Sequence, residues 1–182
     1  SPYSFYQFWL NVADADVYKF LRYFTFLPLA EISDIESEDK AATGRPKAQS
    51  ILAREVTALV HGDDGLDAAL RVTEAMFSGE LADLSEQDFQ QLCQDGLPSS
   101  SLTDLDLQDK PLTNLLVEAG MVKSGREVKD ALSRNSVLVN GQAKGLEDNM
   151  RTADLFSSKG GIYSSYYLVK LGKKKYHLFQ RI

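Results

Sequence analysis

Residues 124–141 read SGREVKDALSRNSVLVNG. Ser124, with Glu127 at the third helical position, is the pattern of a reciprocal capping box at a helix start. Val128, Ala131 and Leu132 then form one apolar side of the helix. Arg126 and Lys129 are three apart, so both project from one other face. After the helix the side-chain period changes. Ser136, Val137, Leu138 and Val139 alternate into Asn140-Gly141, the strongest short hairpin signal available, and Lys144 lies just past the turn. A short basic helix followed by a tight hairpin is the expected local structure. It belongs to a chain whose formal net charge is -6, so the concentration of positive charge here needs a reason.

Working outward, Leu112, Leu115, Leu116 and Ala119 predict a helix stopped at Gly120, immediately before the one opened by Ser124. Toward the C-terminus, YYLVKLGKKKYHLFQ (166–180) predicts a second hairpin, with Gly172-Lys173 suited to a type II′ turn and Lys173, Lys174 and Lys175 beside it. Two helices followed by a small curled sheet make an α+β unit over 112–182.

The charge is divided along the chain. Residues 1–109 carry 7 Lys and Arg against 20 Asp and Glu, whereas residues 110–182 carry 13 against 6. The acidic part repels a phosphate backbone and the basic part attracts one. The change coincides with PSSSLTDLDLQDKP (98–111), Ser-rich, Pro-flanked and acidic, which reads as a linker or loosely packed connection with no run long enough for a helix.

Upstream the pattern is helical throughout. Val17, Phe20, Leu21 and Phe24 fall on one stripe, with Asp14 or Asp16 as N-cap candidates. Ile51, Leu52, Val56, Leu59 and Val60 make a stripe ending at Gly62, and Leu66, Leu70, Thr73 and Phe77 make another between Asp63 or Asp64 and Gly79. Ser85 with Asp88 opens a short helix carrying Phe89 and Leu92. Tyr3 to Val12 is apolar nearly all round and is expected to be the most buried helix. The fold class expected is thus multidomain: an all-α helical bundle over 1–97, a linker over 98–111 and the α+β unit over 112–182.

One cysteine, Cys93, excludes an internal disulfide framework, and His61 and His177 are too far apart for a local metal motif. Charged residues interrupt every apolar stretch well before the roughly eighteen residues of a membrane-spanning helix. A reducing compartment, the cytoplasm, is the expectation. SPYSFYQFW enters dense aromatic sequence at once and reads as a piece of something longer.

The order Leu112-x-x-Leu-Leu, Ala119-Gly120, Ser124-x-Arg126-Glu127, Lys129 and Val137-x-Val139-Asn140-Gly141 resembles the RNA-binding domain first described in ribosomal protein S-four. More closely, SPYSFYQFWLNVADADVYKFLRYFT, LVHGDDGLDAALRVTEAMFSG and GKKKYHL are similar to the C-terminal half of bacterial tyrosyl-tRNA synthetases, and the likeness runs the length of the chain. That resemblance implies a helical domain that binds the anticodon arm, then a basic domain that fits between the anticodon stem and the long variable arm of tyrosine tRNA. It implies that Ser124, Arg126, Lys129, Asn140, Lys144, Lys170, Lys173, Lys174 and Lys175 meet the RNA. Gly125 and Leu171 stand where related domains place further polar or basic side chains, which thins that face here.

In the resembled family a separate N-terminal Rossmann-type domain uses ATP and tyrosine, and the resemblance implies that this domain joins two copies into a homodimer. Its HIGH-like and KMSKS-like motifs do not occur here, nor does G-x-G-x-x-G or G-x-x-x-x-G-K-[ST], and KGGIY around Gly160 and Gly161 lacks the strand-to-helix setting of a phosphate loop. The 182 residues are expected to hold no catalytic residue, cofactor or metal, while the parent polypeptide is a class I tyrosine–tRNA ligase. The partner expected is tyrosine tRNA, with neither DNA nor membrane.

Each feature has a structural reading beside the functional one. Arg126 and Lys129 could be an ordinary solvated face, and Lys173 to Lys175 could blunt an edge strand. The charge division and the shared match to one RNA-binding fold favour function. His61, His177, Cys93 and the aromatic residues from Tyr3 to Phe26 read as capping and core. The rival classes are a stand-alone RNA-binding regulator or RNA-modification protein with the same terminal domain, and a protein-interaction module.

Overall fold

A computed structural model describes residues 1–81, 83–150, 152–156, 161–173 and 175–182. The chain forms two compact units, Ser1–Glu74 and Ala75–Ile182.

The first unit contains α1 (Pro2–Leu10), α2 (Val17–Phe24), α3 (Leu29–Ala41) and most of α4 (Ala48–Ser78). Ser1 caps α1, its Oγ accepting from the Ser4 amide at 3.2 Å, with Pro2 at the first helical position. The core joins Val17, Leu21, Ile32, Ala48, Leu52 and Val56, with Phe5, Trp9 and Phe20 packed against them. Gly62, at φ 72° and ψ 177°, breaks α4 where the sequence stripe stops, a backbone setting that a side chain would strain. Helix α3 had no sequence signal. LAEISDIESEDKA carries five acidic residues in thirteen, and among its apolar side chains only Ile32 is fully buried. Its anchor is polar instead: Asp39 is buried and accepts from Tyr18 Oη at 3.0 Å and from the Lys47 and Ala48 amides at 2.7 and 3.1 Å. It thereby caps the start of α4 from a different helix. Burial, reinforced by that carboxylate, pushes the Tyr18 hydroxyl up to about 12. Helix α1 is less buried than expected. Tyr3 and Tyr6 are inside, but Phe8 is 66% exposed, because its aromatic residues outnumber the positions that face the core.

The second unit begins with the last turn of α4. It continues through α5 (Glu86–Gln91), a π-helical turn (Leu92–Gly96), β1 (Ser99–Leu102), α6 (Asp104–Asp109), α7 (Leu112–Glu118), α8 (Gly125–Ser133), β2 (Val137–Val139), β3 (Gln142–Lys144), a 3-10 turn (Leu146–Met150), α9 (Thr152–Leu155), β4 (Tyr166–Leu171) and β5 (Lys175–Arg181). The sheet order is β1-β5-β4-β2-β3. Strand β1 runs parallel to β5 and the other pairs are antiparallel. On one side of the sheet, Leu112, Leu115 and Leu116 of α7 and Val128, Ala131 and Leu132 of α8 pack with Val137, Val139, Tyr167, Val169 and Phe179.

Residues 98–111 are not a linker. Ser99–Leu102 pairs in register with Leu178–Arg181. Asp104–Asp109 is a helix, opened by a capping box in which Thr103 and Asp106 bond each other's amides. Arg181 ties it down, donating from Nε to Asp104 Oδ1 at 2.8 Å and from a guanidinium nitrogen to the Phe156 carbonyl at 3.1 Å. Ser-rich composition reads as loop because serine carries no periodic apolar signal. A strand whose partner lies some eighty residues away is invisible to local pattern.

The all-helical half also ends earlier than residue 97. Tyr166, Tyr167, Leu168 and Val169 are all buried in succession, so the sheet is covered on both sides. On the second side Phe89 of α5 stacks on Tyr166 with ring centroids 5.2 Å apart. Tyr176 Oη donates to the Met76 carbonyl, and Tyr163 Oη to that of Leu84. Residues 75–97 therefore belong with the sheet. They carry five of the eight acidic side chains of 75–109, a stretch with no Lys or Arg, so the charge division falls inside the second unit.

Candidate nucleic-acid interface

Helix α8 carries the two cations first read from the sequence. Ser124 accepts from the Glu127 amide at 3.4 Å and fixes the helix start. With Val128, Ala131 and Leu132 buried, Arg126 and Lys129 stand exposed. Glu127 and Asp130 share the exposed part of the helix, yet among the described residues neither Arg126 nor Lys129 forms an ion pair with them. Lys123 just before the helix and Arg134 at its end are likewise exposed. Neither is legible in the sequence pattern, because both flank the periodic segment.

The hairpin behind α8 forms as its Asn-Gly signal predicts. Asn140 and Gly141 take φ 49° and 81°, and Val139 pairs with Gln142 across a two-residue turn. Asn140 is a fastener. Its Oδ1 accepts from the Leu168 amide at 2.8 Å, its Nδ2 reaches the Tyr166 carbonyl at 3.4 Å, and its own amide donates to the Leu168 carbonyl at 2.9 Å. Lys144 pairs across from Val137, and cross-strand partners share a face, so it stands on the α7–α8 side. Its Nζ is 3.4 Å from Gln142 Oε1.

Lys170 is on the other side of the sheet. It pairs with Leu138 and Tyr176, and its Nζ lies 5.2 Å from the centroid of the Tyr176 ring. The β4–β5 connection is three residues, 172–174, rather than the expected two-residue turn, since Leu171 pairs with Lys175. Gly172 takes the positive φ of 62°. Lys173 is exposed, and Lys174 lies outside the described residues. Lys175 is exposed but held, donating to the Met121 carbonyl at 2.9 Å in the α7–α8 turn.

Among the described residues, the remaining cations of this part, Lys110 and Arg181, are already matched. Lys110 meets Glu118 at 2.8 Å and Asp106 at 3.5 Å; the Glu118 hydrogen bond leads in raising its pKa. Arg181 meets Asp104 at 2.6 Å. The structure thus brings Ser124, Arg126, Lys129 and Lys144 to the helix side of the sheet, separates Lys170 from them, and uses Asn140 and Lys175 to hold the framework. His177 is buried, as its alternation in the strand suggested, with Nε2 2.9 Å from Ser100 Oγ. His61 is exposed and meets Phe5 edge to face at 5.0 Å, so its contact is aromatic. Among the described residues no group of three His, Cys, Asp or Glu side chains could hold a metal ion, and no helix is long and apolar enough to cross a membrane.

Two family patterns match, and they meet the structural units. Residues 1–78 match the class I tRNA synthetases (W and Y), and residues 88–179 match the tyrosine–tRNA ligase SYY-like C-terminal domain. A tyrosine–tRNA ligase of Aliivibrio fischeri (strain MJ11) is 44% identical over 179 residues, and one of Sodalis glossinidius 48% identical over 179. Each alignment takes in 98% of this chain and 40% of the relative, so the chain spans about 40% of the length of these curated relatives. A crystal structure of a C-terminally truncated Aspergillus nidulans mitochondrial tyrosyl-tRNA synthetase aligns with 42% of this chain and 22% of that one, at 38% identity. Its TM-score of 0.39 is too low to support an argument about the fold. The regulator, RNA-modification and interaction-module alternatives draw no support from these matches. With the second pattern covering half of its length, the chain belongs to the tyrosine–tRNA ligase SYY-like C-terminal domain family.

Proposed function

We propose that this chain is the tRNA-binding part of a bacterial tyrosine–tRNA ligase, and that its second unit grips tyrosine tRNA through the exposed side of α8 and the neighbouring hairpins. The observation that carries this reading is the contrast among cations. Arg126, Lys129 and Lys173 are exposed without an ion pair among the described residues, whereas Lys110 and Arg181 are paired. Unpaired cations release condensed counterions when they meet phosphates, and paired ones must first give up their acids. Arg126 offers a planar fork to a phosphate, and Lys129 and Lys173 offer mobile charges. Lys123 and Arg134 extend the same surface, and Lys144 stands on the same side of the sheet. Ser124 contributes by setting the start of α8. Lys174 remains in the proposed set from its sequence position, and Lys170 has a place only if the RNA also reaches the second side of the sheet.

A-form RNA hides its base edges in a deep groove, so a rigid domain of this size reads shape, backbone and exposed loops. The junction of the anticodon stem and the long variable arm offers such a shape. The first unit would meet the anticodon arm, and ATP-dependent tyrosylation would be the work of a catalytic domain, which would also join two copies of the whole enzyme. The complex would act in the cytoplasm, with DNA and membranes as non-partners and no cofactor on these residues. Filter binding with tyrosine tRNA, a tRNA with a short variable arm and duplex DNA tests the reading. Preference for tyrosine tRNA is expected, and equal affinity for all three would overturn it.

A further inference from the structure

The turn between β2 and β3 is made by a pair of residues that also react with each other. A type I′ turn needs positive φ at both central positions, met here by Asn140 at 49° and Gly141 at 81°. Asparagine and glycine enter that region at the least cost. The same glycine, having no side chain, leaves its backbone nitrogen unhindered beside the asparagine amide. Asn11, Asn114, Asn135 and Asn149 are followed instead by Val12, Leu115, Ser136 and Met150, whose side chains shield that nitrogen. Gly141 is exposed, so water reaches the pair. Against this reactivity stands the fastening of Asn140 to β4. Its Oδ1 accepts from the Leu168 amide at 2.8 Å and its Nδ2 donates to the Tyr166 carbonyl at 3.4 Å. Its own amide bonds the Leu168 carbonyl at 2.9 Å, and the buried Val139 beside it pairs with Val169.

We propose that Asn140 is a site of spontaneous deamidation that the fold holds closed, and that its conversion unfastens the β2–β3 hairpin from β4. The Gly141 nitrogen attacks Asn140 Cγ. One N–C bond forms, the Cγ–Nδ2 bond breaks, and the proton given up by Gly141 leaves with Nδ2 as ammonia. Water then opens the five-membered imide. Addition at Cγ gives aspartate, and addition at the main-chain carbonyl gives isoaspartate, in which the backbone runs through Cβ and Cγ. No oxidant or reductant takes part. Ring closure draws Cγ to bonding distance from the Gly141 nitrogen, which turns the side chain out of its bonds to Leu168 and Tyr166. The reaction therefore waits for the hairpin to open locally. In the aspartate product an acceptor oxygen replaces the Nδ2 donor and meets the Tyr166 carbonyl, which also only accepts. In isoaspartate the added backbone carbon spoils the turn as well. The site is independent of the RNA-binding reading, because its chemistry needs no RNA.

The test is to age the full 182-residue chain in mildly alkaline buffer, folded and unfolded in guanidinium, and to follow residue 140 by peptide mapping with mass spectrometry. Conversion at Asn140 is expected in both, at least about tenfold slower in the folded chain, the factor being set by the fraction of time the hairpin is open. Val139→Ala trims a buried contact between β2 and β4, and a melting curve shows that the variant is folded. It should speed both hydrogen exchange at the Leu168 amide and conversion of Asn140, in proportion. Asn140→Asp, one of the two products made directly, should have a lower thermal midpoint and faster exchange at Leu168. Equal rates in the folded and unfolded chain would show that the fastening protects nothing, and no conversion in the unfolded chain would show that the pair does not react. Faster Leu168 exchange in Val139→Ala without faster conversion would remove hairpin opening as the gate. An Asn140→Asp chain indistinguishable from the original in melting and exchange would show that conversion unfastens nothing. Each of these four results overturns the proposal.

Discussion

At the scale of single residues, side chains of similar sequence appeal do different work. Arg126 and Lys129 were legible because a helix with three known buried positions fixes where the others point. The side occupied by Lys170 was not. Both sides of β4 are buried, so alternation could not say which one meets the helices. Asn140 looked like a contact residue and is a fastener, a role that only its bonds to Leu168 and Tyr166 reveal. Asn140→Ala is expected to cost about 1–3 kcal/mol for its lost amide bonds, with strain added at the left-handed backbone, read as a lower urea midpoint. Asn140→Gly, which relieves the strain but not the lost bonds, should cost less. His177 gives a pH signature. Burial holds its pKa below the ordinary value of 6.5, so the unfolded chain takes up the proton more readily. The stability it contributes is present above about pH 6.5 and is lost as pH falls below that value, toward the depressed folded pKa. His177→Phe should flatten that part of a plot of thermal midpoint against pH. An unchanged slope would show that the ring does not titrate with unfolding.

At the scale of elements, local signals served wherever neighbours in sequence are neighbours in space. The Asn-Gly turn between β2 and β3, the capping box at Ser85 and the break at Gly62 are all of that kind. Strand β1 and helix α6 are not, since what holds them comes from β5 and Arg181. Residues 98–110 should therefore resist limited proteolysis in the intact chain. The Leu178 and Ile182 amides, bonded to the Pro98 and Leu102 carbonyls, should exchange slowly in deuterium oxide. Arg181→Ala should speed exchange at Ile182 and open the segment to cleavage, at about 1 kcal/mol since the ion pair is partly exposed. Val128→Asp belongs to the same scale. It places an unpaired charge at a fully buried position of α8, so loss of RNA binding should coincide with loss of the cooperative melting transition.

At the scale of the whole molecule, the sequence suggested an acidic bundle joined by a tether to a basic domain. The structure keeps the two classes of architecture and moves the boundary to Glu74–Ala75, because the sheet needs residues 75–97 to cover its second side. The second unit is consequently polarised rather than uniformly basic. Its cations cluster around α8, and acidic side chains such as Glu80, Asp83 and Glu86 are exposed in the stretch that covers the sheet. Such an arrangement restricts the poses in which an RNA backbone can dock. The docking pose therefore depends on where the phosphates lie. The deciding measurement is the salt dependence of tyrosine tRNA affinity for the chain and for Arg126→Ala, Lys129→Ala and Lys19→Ala, the last an exposed cation of α2. Removal of Arg126 or Lys129 should flatten the slope of log K against log salt by about 0.7–0.9 each, with stability changed by no more than about 0.5 kcal/mol, while Lys19→Ala leaves the slope in place. A slope that falls as much for Lys19→Ala as for Arg126→Ala, with equal thermal midpoints, would contradict the assignment of α8 as the main phosphate-binding surface.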